Sequence, residues 1–497
     1  MINWMDNIVG FFSPETGFRR ARARAATTFL KRSYEGAKTG RRYGGWVTSG
    51  TDANGEITSA SSRLRDRARD LVRNNPYASK SIMALSANLV GTGIIPRART
   101  GEESLSEEVD SLWNSFAQEC DADGVTDFYG IQTLVVRTMV ESGECLVLFR
   151  RTSSGDGLTA PLQLQVLEPD HLDSGQDKNL PGGGFIQQGI EFDNSGKRVA
   201  YWLFPKHPGN AMALGSSKSL RIPAKDVLHI FDRLRPGQSR GVTWFAPAII
   251  KLRDLDEYDE AELVRKKIEA CFVAFVLNGD DGDTLGEATK ESNERRIESF
   301  EPGMVEYLPA GKDVRFGQPS SSAGYSEYMR VQLHAIASAV GLTYELLTGD
   351  LSQVNYSSIR AGLIEFRRRI KSLQAQVLIP GLCRPVWKRF IETAQAAGKL
   401  PTNGEIRAEW TPPRFEAVDP MKDIQAEILS VRAGMMTLKE AIARQGYDPS
   451  QTLAEISETF SELDRLGITL DTDARKSTRT GQAKPMTDSP KDLHSSA

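Results

Sequence analysis

Glu168-Pro-Asp-His-Leu-Asp173 gathers three carboxylates and an imidazole in one short run. Side chains of these types at such spacing can ligate a hard cation or activate a water, which makes Glu168, Asp170, His171 and Asp173 the candidate residues for a metal-dependent nuclease or hydrolase. The competing reading is a strand end followed by an Asp-rich turn, where the same groups cap and solvate the backbone. That second reading is the stronger, because the whole chain holds only 5 histidines and no second acidic cluster at helical spacing offers a partner. His229 in Val227-Leu-His-Ile-Phe231 reads as a core histidine, and His334 as a packing residue on a helix. The chain lacks a Gly-x-x-x-x-Gly-Lys-[Ser/Thr] phosphate loop, a full dinucleotide fingerprint after Gly91, a His-Glu-x-x-His pair and a Gly-x-Ser-x-Gly elbow. The residues therefore point away from an enzyme, with no catalytic group, metal ligand or cofactor assigned.

A different segment carries more information. Glu345-Leu-Leu-Thr-Gly-Asp-Leu-Ser-Gln-Val-Asn-Tyr-Ser-Ser-Ile-Arg-Ala-Gly362 is polar and lies between two helical patterns. Ahead of it Tyr328, Val331, Leu333, Ile336 and Val340 recur at helical spacing until Gly341 supplies a left-handed stop. Behind it Ser357 and Ser358 are expected to accept from orphan amides and open a helix with Ile359, Leu363, Phe366, Ile370 and Leu373 on one face. A loop anchored this way at both ends is a place where function concentrates. The basic run Arg367-Arg-Arg-Ile-Lys371 reads as a solvated helix face, and only its nearness to the loop suggests otherwise.

The elements that must position this loop follow from pattern. A chain of 497 residues with 39% hydrophobic and 26% charged residues can bury large cores in two or more folded units. The net charge of −3 excludes the strong positive field of a tight nucleic-acid binder. Cys120, Cys145, Cys271 and Cys383 are too scattered for a disulfide framework, and no apolar run approaches the roughly 18 residues of a membrane span, so no membrane contact is expected. Residues 14–45 hold nine basic against two acidic side chains and read as a flexible basic arm, while 471–497 read as a disordered tail.

Helices are expected from about Ser62 to Leu89, Ser106 to Cys120 and Tyr129 to Ser142, then strands at Leu162–Val166, Arg198–Phe204 and Asp226–Phe231. This is an α+β unit. A helix from Phe245 to Phe275 would reach about 45 Å at roughly 1.5 Å per residue and reads as a strut. An acidic insert follows it, with a hairpin expected between Met304–Leu308 and Val314–Phe316, before the helix from Ser326 to Val340 returns. Asp419-Pro420, Thr437-Leu-Lys-Glu440 and Asp448-Pro449 punctuate a compact helical cap.

Six strings in order carry a resemblance: Arg69-Asp-Leu-Val-Arg-Asn-Asn-Pro-Tyr77 with Val90-Gly-Thr-Gly-Ile94, Ser142-Gly-Glu-Cys145, Arg235-Pro-Gly-Gln-Ser-Arg-Gly241, Asn355-Tyr-Ser-Ser-Ile-Arg-Ala361 and Val418-Asp-Pro-Met-Lys422. Over roughly residues 15–470 the chain resembles the lambda-type family of tailed-phage portal proteins. The resemblance implies a homo-oligomeric ring, usually of twelve copies, at one capsid vertex, through which double-stranded DNA is packed and ejected. It implies a fold with a mixed α/β wing (46–245), a two-helix stem (246–266 and 323–341), a small α/β clip (267–322), a tunnel loop, long helix and rest of the wing (342–415) and a helical crown (416–470). Residues 1–45 would be the arm and 471–497 the tail.

The implied partners are the terminase large subunit, head-completion and neck proteins, and the major capsid and scaffolding proteins, in the virion and, during assembly, in the host cytoplasm. Thr348, Gly349, Asp350, Leu351, Ser352, Gln353, Val354 and Asn355 would then be the DNA-facing loop. Asp280, Asp281, Asp283, Glu287, Lys290, Glu291 and Arg295 would dock terminase or neck proteins. The other reading held open, beside the nuclease, is a plain structural protein of the capsid shell.

Overall fold

The structure is a computed structural model that describes residues 48–476 except 49, 154, 156, 211–217, 271–273, 278–288, 291–295, 298–312, 317–323, 402, 403, 417, 418, 448, 471, 472 and 474. The arm before residue 48 and the tail after 476 lie outside the described residues. Two units are distinguished, Met1–Glu56 and Ile57–Ala497. In the first, the Asp52 carboxylate accepts from the Gly55 amide at 2.9 Å where helix α1 (Ala53–Asn74) begins.

In the second unit α1 gives way to α2 (Pro76–Leu89), so the single helix expected over 62–89 is two. Pro76 cannot donate the amide that would continue α1, and Asn75 caps the new helix by accepting from Ala78 N at 2.9 Å. Strand β1 (Ile95–Arg99), helix α3 (Glu103–Glu119), helix α4 (Phe128–Ser142) and strands β2 (Glu144–Arg151) and β3 (Leu162–Leu167) follow. Five short antiparallel strands form one sheet in sequence order: β4 (Lys178–Asn179), β5 (Phe185–Gln187), β6 (Ile190–Phe192), β7 (Arg198–Leu203) and β8 (Leu220–Pro223). Strand β9 (Val227–Phe231) joins a second sheet in the order β3-β2-β9, with Leu146 opposite both Leu167 and His229.

Helix α5 runs from Ile249 to Ala270, 22 residues and so about 33 Å, shorter than the strut expected from Phe245 to Phe275. Strand β10 (Ala274–Leu277) begins soon after and ends the helical pattern. Two short strands, β11 (Thr289–Lys290) and β12 (Arg296–Ile297), pair with each other. Strand β13 (Asp313–Phe316) pairs antiparallel with β10, Val276 opposite Val314. The hairpin partner expected at 304–308 lies outside the described residues.

Helix α6 (Tyr325–Val340) lies along α5, with Tyr258 4.7 Å from Tyr328 and stacked on Tyr325 at 5.9 Å. A short helix α7 (Tyr344–Thr348), absent from the sequence reading, precedes α8 (Tyr356–Leu373). The chain then stays helical through a π-helical stretch, Gln374–Cys383, whose wider turn accommodates Pro380, into α9 (Arg384–Ala396). Strand β14 (Arg407–Thr411) returns to pair with β1, Arg97 opposite Glu409. Helices α10 (Pro420–Arg432), α11 (Leu438–Arg444) and α12 (Pro449–Leu466) end the described chain.

The main core collects the inner faces of α2, α3, α4, α8 and α9 around Trp113, whose ring lies 5.1 Å from Phe128, 5.1 Å from Trp387 and 5.2 Å from Phe390. A second cluster, Leu146, Leu172, Ile190, Tyr201 and Leu203 among others, joins the two sheets. Cys120, Cys145 and Cys383 are buried free thiols, each pushed up in pKa by burial and so packing groups. No described helix is long and apolar enough to cross a membrane.

Candidate DNA-facing loop and the groups that hold it

Gly341 closes α6 in the left-handed conformation, φ 76°, as its position predicts. Thr343 then caps α7, accepting from Leu346 N at 3.3 Å, and Gly349 ends it at φ 76°. Asn355, and not Ser357 or Ser358, caps α8, because its carboxamide oxygen accepts from Ser358 N at 2.9 Å. Between these caps Gly349, Leu351, Ser352, Gln353 and Asn355 are exposed, while Thr348, Asp350 and Val354 are half-buried.

The loop is braced from its base. Tyr344, buried on α7, donates its hydroxyl to Asp350 at 3.2 Å, and the Asp350 amide donates to Thr348 Oγ1 at 3.1 Å. Asp350 in turn accepts from Ser352 N at 2.9 Å. Hydrogen bonds from Ser352, then Tyr344 and the Arg330 charge, hold the Asp350 carboxyl below the ordinary range, so it stays an acceptor at neutral pH. His334 stacks on the Tyr344 ring at 4.2 Å, the packing role its helix position predicts, and the Arg330 guanidinium lies 5.8 Å from the same ring.

The basic run on α8 is exposed at Arg368, Arg369 and Lys371, as a solvated face would be, and its cations also find partners. Arg367 donates to the Glu416 carbonyl at 2.8 Å and lies 5.2 Å over the Phe415 ring, which Lys371 also approaches at 5.9 Å. Arg369 packs 5.3 Å over Trp244. Near the start of the helix Arg360 pairs with Asp423 of α10 at 2.9 Å. These contacts fix the helix behind the loop by cation–π packing.

The structure does not assemble the four residues of the hydrolytic reading. Among the described residues the one three-ligand grouping of metal-binding types is Glu168, Asp170 and His207. Arg69 donates to Glu168 at 2.9 Å and to Asp170 at 2.6 Å, and Arg65 Nε lies 3.3 Å from Asp170. Burial pushes Asp170 up, but the Arg69 hydrogen bond and the two guanidinium charges outweigh it and hold its carboxyl below the usual range. Two arginines thus balance two carboxylates and leave no surplus negative charge for a cation. His171 Nδ1 faces the Phe204 carbonyl at 2.9 Å, and Asp173 accepts from Ser219 Oγ at 2.6 Å. Of the acidic-insert candidates, Asp280, Asp281, Asp283, Glu287, Glu291 and Arg295 lie outside the described residues, and Lys290 ends β11.

Sequence reasoning missed a buried charge cluster. Glu144, at the start of β2, accepts from Arg240 Nε at 2.8 Å and Nη2 at 2.5 Å, from His229 Nε2 at 2.9 Å and from Gly241 N at 2.7 Å. Arg240 reaches on to Ser174 Oγ at 3.1 Å and the Gln188 carbonyl at 3.3 Å. All three ionisable side chains are 2% exposed or less. Burial pushes Glu144 up, yet Arg240 and His229 together hold it well below the carboxylate range. A Cβ on Gly143 would lie 2.3 Å from the Val242 carbonyl carbon, and one on Gly241 2.1 Å from the Gly143 oxygen, so two backbones cross here where only glycine fits. The visible signal was a charged residue inside an apolar strand next to glycine. Its partner lies 96 positions away, beyond any local pattern.

A braced polar loop on rigid helices, with its acidic clusters neutralised by arginine, defines a structural scaffold that presents a loop. Residues 39–374 match the family model for phage portal protein, lambda family. The chain belongs to that family, and its role is that of a portal protein. It is 28% identical to the "Probable portal protein" of Halomonas phage phiHAP-1, covering 88% of each chain. Portal protein B of Escherichia phage lambda is 23% identical, with 86% of this chain and 91% of that protein covered. A chain of the solved virion of a native gene transfer agent particle is 16% identical, covering 81% of this chain and 97% of that one, at a TM-score of 0.44. The relatives are named as portal proteins, and nothing in them or in the site geometry favours the nuclease reading.

Proposed function

We propose that copies of this chain form a homo-oligomeric ring, a dodecamer, at one vertex of the phage capsid, and that double-stranded DNA enters and leaves through its channel. In this reading α5 and α6 are the stem, 267–322 the clip that docks the terminase large subunit and later the neck proteins, α10 to α12 the crown, and the α+β unit the wing. Assembly takes place in the host cytoplasm, beside the major capsid and scaffolding proteins, and the ring stays in the virion. The observation that carries it is the loop 348–355, exposed at its tip yet tied at its base by Tyr344 and Asp350, within a chain of the portal family.

The charge balance supports the same reading. Duplex DNA carries one charge per ~1.7 Å, and a strongly basic lining would hold it in place, whereas a subunit of net −3 lets it slide. Electron microscopy of the purified full-length protein tests this directly: rings with a central hole are expected. Closed shells would favour a plain capsid protein, and persistent monomers in the presence of capsid partners would defeat the proposal.

A further inference from the structure

Helices α10, α11 and α12 have side-chain caps at Asp419 and Thr437, yet none of the three carries a fully buried residue. Large apolar groups stand open instead, Met421 at 70% exposure, Leu429 at 62% and Leu466 at 58%. Helices this poor in core draw stability from contact with something else. On α12 the residues Glu455, Glu458 and Glu462 fall on one exposed stripe with Leu466, and Ile456 edges it. The helix holds four acidic residues against Arg465 alone.

A cleft of about 780 Å³ in the same unit, walled in part by Ala443, Gln445, Gly446, Tyr447 and Pro449 where α11 turns into α12, has the complementary chemistry. Its lining includes half-buried Leu346, Leu363 and Phe415 as an apolar floor, with Arg97, Arg99 and Arg414 beside them, Arg97 lying 3.8 Å from Asp110. Arg414 is exposed, and Arg99 is 58% exposed while paired with Glu409. An apolar floor with a cationic rim is the shape that takes an acidic amphipathic helix. A bare phosphate backbone gains nothing from such a floor. Glu409 and Glu416 also line the cleft, Arg99 being paired with Glu409, so Arg97 and Arg414 carry the match to an acidic helix.

We propose that this cleft receives helix α12 of a second copy of the chain. The contact is heterologous, cleft to helix, the kind that closes into a ring when the rotation per copy divides a full turn. It rests on the ring reading and adds to it a named interface. The rim arginines then meet Glu455, Glu458 and Glu462 of the next copy, and the open apolar residues of α12 leave water.

Charge reversal in the full-length protein tests it. Arg99→Glu with Arg414→Glu, and separately Glu458→Arg with Glu462→Arg, are each expected to raise the concentration for half-assembly at least tenfold by sedimentation, with far-ultraviolet circular dichroism unchanged. All four reversals together are expected to restore assembly to near the unmodified level. A Cys pair, Arg414→Cys on one tagged copy and Glu458→Cys on another, is expected to cross-link between copies on oxidation. The proposal is overturned if the unmodified chain forms rings and neither pair of reversals alters them, or if the Cys pair stays unlinked in assembled rings. It is also overturned if Arg99→Glu with Arg414→Glu weakens binding of a 30-base-pair duplex while assembly holds, which assigns the cleft to nucleic acid. An unmodified chain that never assembles removes the ring and this interface together.

Discussion

Removing the charge at Glu144 leaves Arg240 and His229 facing a neutral group in a site closed to water. The cost falls on Arg240, which keeps its charge but loses the carboxylate that balances it. Glu144→Gln is expected to lower stability by about 3–5 kcal/mol in urea denaturation of the full-length protein, the range for breaking a buried pair by removing one partner. A loss under about 1 kcal/mol would show the cluster to be relaxed or hydrated. The same site sets a pH response. His229 donates from Nε2 to Glu144, and its Nδ1 is buried without a hydrogen-bond partner, so the ring is neutral and a second proton there would be stranded. Burial lowers the His229 pKa more than Glu144 raises it. A native pKa below the unfolded value of about 6.5 means the unfolded chain binds the proton first, so this stability is complete above that pH and drains as the pH falls below it. Glu144, also depressed in the native state, adds a second loss below about pH 4.3. The urea midpoint is therefore expected to hold from pH 8 to 7 and to decline below about 6.5. His229→Gln, which keeps a donor to Glu144, is expected to flatten that first decline, and an unchanged slope would assign the proton elsewhere.

At the scale of the element, the loop 348–355 behaves as an extension of α7, because Tyr344, Thr348 and Asp350 bond it to the helix it leaves. Tyr344→Phe keeps the stack on His334 and removes the bond from α7 to the Asp350 carboxylate, leaving that from the Asp350 amide to Thr348 Oγ1. Amide exchange at 349–354 is then expected to speed up several-fold with the urea midpoint nearly unchanged, since a single part-buried hydrogen bond at the base of a loop stabilises locally. Exchange equal to the unmodified protein would show that the loop is held by its caps alone. Shortening the loop between Thr348 and Asn355 is the functional counterpart: rings are expected to remain while DNA packaging or retention falls, and unchanged packaging would refute a DNA-facing role. Caps that act locally were legible in sequence, although the cap behind the loop is Asn355 in place of the expected Ser357 or Ser358. Gly341, Asp419 and Thr437 all act where the pattern placed them. Signals that depend on distant partners were not legible. Pairing of β1 with β14 joins residues about three hundred positions apart, and the brace at Tyr344 depends on a short helix with too few residues to show a period. Asn75-Pro76 did carry a readable break, and the apolar spacing on either side of it masked the change of helix.

At the scale of the whole molecule, charge is divided along the chain in a way that a net of −3 conceals. Residues 1–45 contain nine basic and three acidic side chains, so the remaining 452 residues hold 53 basic against 62 acidic, a net of −9. The net charge of that body opposes a duplex, and many of its cations are already engaged, Arg240 by Glu144, Arg69 by Asp170 and Arg360 by Asp423. Phosphate contacts release counterions only where cations are free to meet them, so the affinity for duplex DNA should follow the arm. Deleting residues 1–45 is expected to weaken binding of a 30-base-pair duplex roughly tenfold or more at 50 mM salt, and to flatten its salt dependence, as fluorescence anisotropy would read. The arm shows no core periodicity, so rings are expected to assemble without it. If duplex binding and its salt slope survive the deletion, the cations that meet DNA belong to the channel instead, and a near-neutral sliding surface is the wrong picture of it. Loss of ring assembly would instead assign residues 1–45 to the interfaces between copies.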